Sequence, residues 1–240
     1  MFRYRLGGKA MSHLMPKENL ITEHSPKSPI SERYRMLRTN IEFSTLDRQL
    51  QVIMITSSKP SEGKSTTSAN VAVSFAQANK KVLLIDGDLR KPSQHHIFGK
   101  SNRSGLTTAL FKQQELSDII QQSSIENLSI LQAGPTPPNP SELLSSKQMA
   151  ALLDTTRGMY DVIIIDTPPI LSVTDAQIVA TLSDGVVLVI DSGKVKKDVV
   201  LKAKASLEHV NAKLIGVVLN NINRKDSDSY TYYYGEGNDA

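Results

Sequence analysis

Residues 52–66 read Val52-Ile53-Met54-Ile55-Thr56-Ser57-Ser58-Lys59-Pro60-Ser61-Glu62-Gly63-Lys64-Ser65-Thr66. An apolar run of strand type enters a short polar turn, and the turn opens a helical pattern over 64–78. A turn in that place aims several backbone N–H groups, and the positive end of the helix dipole, at one point, which suits a phosphate. In such a loop Lys64 reaches the β- and γ-phosphates of a nucleoside triphosphate, and the Ser65 hydroxyl ligates Mg²⁺. Ser58, Lys59, Pro60, Ser61, Glu62, Gly63 and Thr66 are candidate contacts to the same nucleotide. One position departs from the G-x-x-x-x-G-K-[ST] pattern, because Ser58 stands where the first glycine is usual.

Outward from this loop the chain alternates. Short Val/Ile/Leu runs at 52–56, 81–85, 128–131, 161–165, 185–190 and 214–219 are separated by helical patterns at 64–78, 142–154, 174–182 and 197–210. Apolar runs without alternation belong to strands buried on both faces, hence to a mostly parallel sheet covered by helices. Right-handed strand–helix crossovers make this a doubly wound α/β fold. Upstream, residues 1–29 have no useful periodicity and are interrupted by Pro16, Pro26 and Pro29, so an extended arm is expected. A helix is expected from about Ser31 to Leu46, with Tyr34, Leu37 and Ile41 on one face and Glu32, Arg35, Arg38 and Glu42 on the adjacent one. The expected organisation is an arm (1–29), a domain (30–223) and a flexible tail (224–240).

The chain has 240 residues, enough for one α/β domain with a substantial core. It has no cysteine, which excludes disulfides and thiolate metal sites and fits a reducing compartment. No apolar run approaches the ~20 residues that cross a bilayer. The net charge of +4 is mild, and the local positive charge of Arg3, Arg5, Lys9 and Lys17 reads as a solvated arm, so no nucleic-acid partner is expected.

Ligands of such a sheet collect at the carboxyl ends of strands. Two strands end there in aspartate: Val82-Leu83-Leu84-Ile85 runs into Asp86-Gly87-Asp88, and Val162-Ile163-Ile164-Ile165 into Asp166-Thr167-Pro168-Pro169. A strand-end Asp beside a phosphate loop holds Mg²⁺ directly or through water. If the 86–88 stretch stays extended, Asp86 and Asp88 project on one face. Three carboxylates exceed what one phosphate-bound Mg²⁺ needs, so one of them is expected to address the acceptor. His95-His96 reads as a solvated loop, for lack of further ligands nearby.

The phosphate loop, the Val82–Pro92 stretch with its Asp-Gly-Asp-Leu-Arg-Lys-Pro ending, the Val162–Pro169 stretch and a tyrosine-rich end occur here in an order that resembles the bacterial tyrosine kinases. More narrowly, the chain looks like the soluble catalytic subunits that Firmicutes use in capsule and exopolysaccharide synthesis. The resemblance covers about residues 25–235. It implies a fold similar to the Mrp/MinD P-loop ATPases, with ATP and Mg²⁺ as cofactors and Lys64, Asp86, Asp88 and Asp166 as catalytic residues. In the implied scheme Ser65, Asp88 and Asp166 organise Mg²⁺, and Asp86 orients the tyrosine hydroxyl and accepts its proton. Asn220 matches the position that contacts adenine in MinD-like proteins.

Ala133–Leu144 also matches the family, and locally it reads as a stiff helix entry with Asn139 at N-cap, Pro140 at N1 and Glu142 at N3. Glu32-x-x-Arg35-x-x-Arg38 matches the family's ring-forming E-x-x-R-x-x-R motif, which implies a ring-shaped homo-oligomer. Related single-chain kinases carry a membrane domain, so a separate transmembrane activator is implied, with the chain cytoplasmic and recruited to the inner membrane face. Two departures stand out. Ser61 replaces the glycine of the family's Pro-Gly-Glu-Gly-Lys loop, and Lys59 falls where MinD-like ATPases place a subunit-crossing lysine. Lys59 either touches phosphate or is solvated.

Tyr230, Tyr232, Tyr233 and Tyr234 fall within five residues near the C-terminus, flanked by polar sequence. They read as phosphoacceptors presented to a neighbouring subunit. Each phosphate adds about −1.5 to −2 charges, which would repel an aspartate-rich cleft. Two other readings remain open: a MinD- or ParA-like ATPase switch, and a nucleotide-sensing subunit of a polysaccharide export complex.

Overall fold

The computed structural model describes residues 2–5, 20–44 and 50–222. Among the described residues eight strands form one sheet: β1 (Phe2–Arg5), β2 (Val52–Ser57), β3 (Val82–Asp86), β4 (Gln121–Gln122), β5 (Leu128–Leu131), β6 (Val162–Asp166), β7 (Gly185–Asp191) and β8 (Leu214–Asn220). Their spatial order is β1-β8-β7-β2-β6-β3-β5-β4. Every pairing is parallel except β4 with β5. The β2 strand thus lies mid-sheet, with β6 on one side and β7 on the other.

All six residues of β2 are buried, and its side chains alternate between two cores. Val52 and Met54 pack with Leu83, Ile85, Ile163 and Ile165 under one layer of helices. Ile53 and Ile55 pack with Leu84, Ile164 and Val187 under the other. An uninterrupted apolar run is what a strand covered on both faces requires. Each fully buried Val, Leu or Ile stabilises the fold by roughly 1.5–3 kcal/mol.

The second layer is built by α2 (Pro29–Glu42) and α3 (Lys64–Ala76). The Ser28 hydroxyl accepts the Ser31 amide at 3.1 Å, and Pro29 fills the first turn, where its missing N–H costs nothing. That cap starts α2 two residues before the sequence suggests, and the helix stops at Glu42. Tyr34, Leu37 and Ile41 are buried, as their spacing predicts. The first layer contains α5 (Leu106–Leu110), α8 (Lys147–Arg157), α9 (Asp175–Thr181) and α10 (Lys197–His209).

Several expectations need correction. The 1–29 segment is not uniformly extended. Phe2–Arg5 pair in parallel with Gly216–Leu219, and α1 (Ile21–His24) docks on α3, with Thr22 bonded to the Asn70 side chain at 3.0 and 2.8 Å. Arm and domain are joined by backbone pairing, which hydropathy does not reveal. The helical pattern at 142–154 splits into α7 (Pro140–Leu144) and α8, because Ser146 caps a new helix by accepting the Met149 amide. His95 and His96 lie in α4 (Gln94–Phe98), not in a loop, with ring centroids 3.8 Å apart. Burial, then His96, holds the His95 imidazole below its usual range. The short α6 (Leu116–Ile119) and the two-residue β4 were invisible to periodicity.

Candidate active site

The loop between β2 and α3 sits at the carboxyl end of the sheet. Gly63 is the N-cap of α3 and has φ +90°. The backbone conformation favours glycine, and a Cβ there would meet Asn220 Nδ2 at 2.2 Å and displace that amide. Asn220, the last residue of β8, donates its Nδ2 to the Glu62 carbonyl at 3.1 Å and accepts the Asn221 amide at 2.9 Å. Its amide group, expected at the base, ties the loop to the sheet.

Ser58 is wholly buried, and its serine identity has a physical reason. Its amide and hydroxyl donate to the two oxygens of the buried Glu62 carboxylate at 2.8 and 2.7 Å, closing the loop on itself. Burial pushes the Glu62 carboxyl up, only partly offset by these bonds. Ser61 adopts φ 66° in the left-handed region that favours glycine. Lys59, Pro60 and Ser61 are exposed along the mouth, while Ser65 and Thr66 are partly covered.

Beneath the loop the chain gathers the predicted charges. Lys64 Nζ lies 3.0 Å from Asp88 Oδ2, 3.6 Å from Asp166 Oδ1 and 3.1 Å from Ser65 Oγ. Burial acts to lower the Lys64 pKa, but Asp166, Asp88 and Asp86 together raise it, so the ammonium is held charged. Asp86 and Asp166 are register partners on adjacent strands and are both fully buried. Burial first, and then the charge of Asp166, pushes the Asp86 carboxyl up to about 7.

Asp86 and Asp88 do not share one extended face, because β3 ends at Asp86 and the chain turns. Asp86 accepts the amides of Ser93 and Gln94 at 2.9 Å through one oxygen, and that of Asp88 at 3.3 Å through the other. Gly87 donates its amide to the Asp166 carbonyl at 2.7 Å, in a space where a Cβ would sit 3.0 Å from that oxygen. Asp88 instead turns toward Lys64 and accepts the Lys91 amide at 3.0 Å.

Sequence reasoning missed several side chains. The buried Gln94 donates its Nε2 to Asp166 Oδ2 at 2.8 Å and to the Ser65 carbonyl at 3.1 Å, joining the loop to the β6 carboxylate. Ser68, one helical turn past Lys64, lies 3.4 Å from Asp166 Oδ1. Arg90 grips the fully buried Asp175 of α9 through two bonds, at 2.8 and 3.0 Å. Lone polar residues such as Gln94 and Ser68 carry no signal of this kind in the sequence, whereas Arg90 stood in plain view beside the Asp-Gly-Asp turn.

Glu32, Arg35 and Arg38 lie on α2, not among the loop residues. Arg35 bonds Glu32 at 2.6 Å and the Pro26 carbonyl at 2.5 Å, while Arg38 reaches the Ser74 carbonyl of α3 at 2.9 Å. Tyr230, Tyr232, Tyr233 and Tyr234 lie outside the described residues.

Residues 50–214 match the AAA domain family. The Bacillus subtilis tyrosine-protein kinase YwqD is 50% identical over 217 residues, covering 90% of this chain and 92% of that protein. The chain belongs to the bacterial tyrosine kinases. CpsD, a tyrosine-protein kinase of Streptococcus agalactiae, is 40% identical and covers 80% of this chain and 83% of its own length. Among solved structures, the chimerical protein CapA2B2 superposes with a TM-score of 0.86 at 44% identity, over 92% of this chain and 94% of the other. The kinase domain of the Escherichia coli tyrosine kinase ETK gives 0.85 at 30% identity, over 93% and 90%. The cell division ATPase MinD of Pyrococcus furiosus, at 22% identity and a TM-score of 0.62, shares the fold. Membership of this kinase family makes the chain a protein-tyrosine kinase, and its P-loop ATPase-type relatives imply that it binds a nucleotide. Among the described residues no helix is long and apolar enough to cross a membrane.

Proposed function

We propose that this kinase transfers the γ-phosphoryl group of ATP to tyrosine hydroxyls, foremost Tyr230, Tyr232, Tyr233 and Tyr234 on a neighbouring copy, and so regulates capsular or exopolysaccharide synthesis. The observation that carries the reading is the placement of the Lys64 ammonium among Ser65 Oγ, Asp88 Oδ2 and Asp166 Oδ1. This oxygen set already surrounds a cation, and hard oxygen donors suit Mg²⁺. Among the described residues no three acidic, His or Cys side chains make a metal site unaided, so phosphate oxygens would complete the shell.

Mg²⁺, when bound, neutralises charge on the phosphates and fixes their orientation. Lys64 exchanges carboxylate partners for phosphate oxygens, and the first-turn amides of α3 point at the same phosphates. As the bond between γ-phosphorus and the β-bridging oxygen breaks and the tyrosine oxygen bonds to phosphorus, the phenolic proton passes to Asp86. A loose transition state leaves that transfer late, so positioning and charge neutralisation are the main tasks. Asp86 is wholly buried under three backbone amides, so this role requires residues 87–93 to yield when the hydroxyl arrives.

Glu32, Arg35 and Arg38 would build a ring of copies, and a transmembrane partner would hold the cytoplasmic ring at the inner membrane face. Lys59, exposed at the mouth, favours a second reading in which ATP pairs two subunits as a switch.

Mixing a Lys64→Met chain that keeps its tyrosines with an active chain whose four tail tyrosines are phenylalanine tests the reading. Phosphate is expected on the Lys64→Met chain alone. A wild-type rate per molecule that does not depend on concentration, with no transfer in the mixture, would exclude transfer between copies. Light scattering of an Arg35→Ala, Arg38→Ala variant tests the ring. An unchanged assembled mass would refute it, and a melt checks the parallel loss of the Arg38–Ser74 contact.

A further inference from the structure

Asp88 is placed by a turn. Its Oδ2 meets Lys64 Nζ at 3.0 Å, while its Oδ1 accepts the amide of Lys91 at 3.0 Å, so the carboxylate spans the 88–91 segment. Between those ends sits Arg90, whose partners lie outside the loop. Its Nε and Nη2 donate to the two oxygens of Asp175 at 2.8 and 3.0 Å, and Nη2 also lies 3.3 Å from Ser141 Oγ. Ser141 in turn donates to Asp175 Oδ1 at 2.7 Å and accepts from Thr174 Oγ1 at 3.2 Å. Asp175 opens α9 and Ser141 lies in the first turn of α7, so the guanidinium is gripped by two helices outside the loop.

An ion pair to a buried aspartate is commonly structural, and part of this one is. Asp175 is fully buried, and removing its cation would leave a desolvated charge. Burial works to raise its carboxyl, yet Arg90 and Ser141 hold it below the usual range. A purely structural partner could come from any neighbouring helix. Here it comes from the turn whose other side chain faces the cation position, and the residue that follows it donates the amide that orients Asp88. A planar fork also fixes direction as well as distance, which a lysine ammonium does not.

We infer that Arg90, held by Asp175 and Ser141, is a positioning residue that sets the 88–91 turn so that Asp88 faces the Mg²⁺ of the bound nucleotide. The inference rests on the metal role proposed above for Asp88. Arg90 touches neither nucleotide nor metal in this scheme and acts through Asp88.

Two readouts separate the inference from the site reading. Amide exchange in the nucleotide-free protein should be faster at Lys91 in Arg90→Lys than in wild type, with the β-strands unchanged. Fluorescent ADP titrated with and without Mg²⁺ should show metal-free affinity within about twofold of wild type, while the gain on adding Mg²⁺ falls about tenfold, the scale of outer-shell substitutions. Asp175→Asn should behave alike, which covers the case of Arg90→Lys failing to fold. Adding Arg90→Lys to Asp88→Asn should cost nothing further in the Mg²⁺ gain, because the path runs through Asp88. An additive loss in that double variant, or a full Mg²⁺ gain in both single variants, overturns the clamp. Absence of any Mg²⁺ gain in wild type overturns the metal reading and the clamp's purpose with it, even where the exchange result shows the turn to be pinned.

Discussion

Two charge clusters sit at opposite edges of the same sheet, one at the amino ends of β2 and β7 and one at the carboxyl ends of β3 and β6, and they are built on opposite terms. At the amino end of β2, Asp184 receives the Arg157 guanidinium in two bonds of 2.8 Å and the amides of Gln51 and Val52 at 3.0 and 2.7 Å. Burial alone would raise the Asp184 carboxyl, but Arg157 and these amides keep it below the usual range. At the carboxyl end, Asp86, Asp88 and Asp166 share a single ammonium, Lys64, and Asp86 is driven up by burial and by Asp166. A matched cluster closes a fold. An unmatched one, almost entirely buried, stores an appetite for cations, which is what the proposed site for Mg²⁺ and phosphate needs.

The strongest way to break the comparison is to remove the cation from the unmatched cluster. On the proposed scheme Lys64→Met should lower tail phosphorylation by at least about 10²-fold, because a charge that would face the triphosphate is lost. It should also destabilise the nucleotide-free protein by about 3 kcal/mol, since three buried carboxylates lose their counter-ion. An activity assay paired with a denaturant melt checks both, and wild-type phosphorylation would remove Lys64 from the site.

The matched cluster should respond in stability alone. Arg157→Ala is expected to cost about 1–2 kcal/mol, the lower part of that range if solvent screens the half-buried pair, with ADP affinity unchanged. The sign with pH follows from the depressed Asp184 carboxyl. Its contribution is complete above the unfolded carboxylate value of about 3.9 and disappears as pH falls through the lower folded value. The melting difference between wild type and Arg157→Ala should therefore shrink in strong acid. A difference that grows there would mean the pair is not what stabilises this end.

Within the loop, Ser58→Ala removes one of two bonds to the buried Glu62 and should cost about 1 kcal/mol, read from a melt. A neutral result would show that the Ser58 amide suffices. The smallest effect is expected from Ser61→Gly. It relieves a left-handed residue but frees the unfolded chain, so stability should rise by less than about 1 kcal/mol. A clear loss would mean that the added freedom of the unfolded chain outweighs the relieved backbone strain.

Much of this could be read before any coordinates. The apolar runs around Ile53, Leu84, Ile164 and Leu188 located the central strands to within a residue or two, because a strand buried on both faces tolerates little else. The loop with Lys64 and Ser65 and the strand-end Asp86 and Asp166 were legible because their chemistry depends on short spacings along the chain. The docking of the arm was not legible: Phe2–Arg5 are extended, but they pair with β8 through backbone atoms that are common to every sequence.

What the sequence by itself determined is therefore the inventory and the local order: a strand, a polar turn, a helix, and carboxylates at strand ends. Tertiary structure alone decided how those carboxylates differ. Asp86 and Asp88 are two residues apart, yet one is sealed under the amides of Ser93 and Gln94 and the other turns to Lys64. It also decided that Asn220 braces Gly63, that Gln94 bridges loop and β6, and that Arg90 is anchored on α9, 85 residues further along the chain. The physical reason is range. Propensity and hydropathy act over a few neighbouring residues, whereas burial, hydrogen-bond partners and charge imbalance depend on which distant segments the sheet brings to one edge.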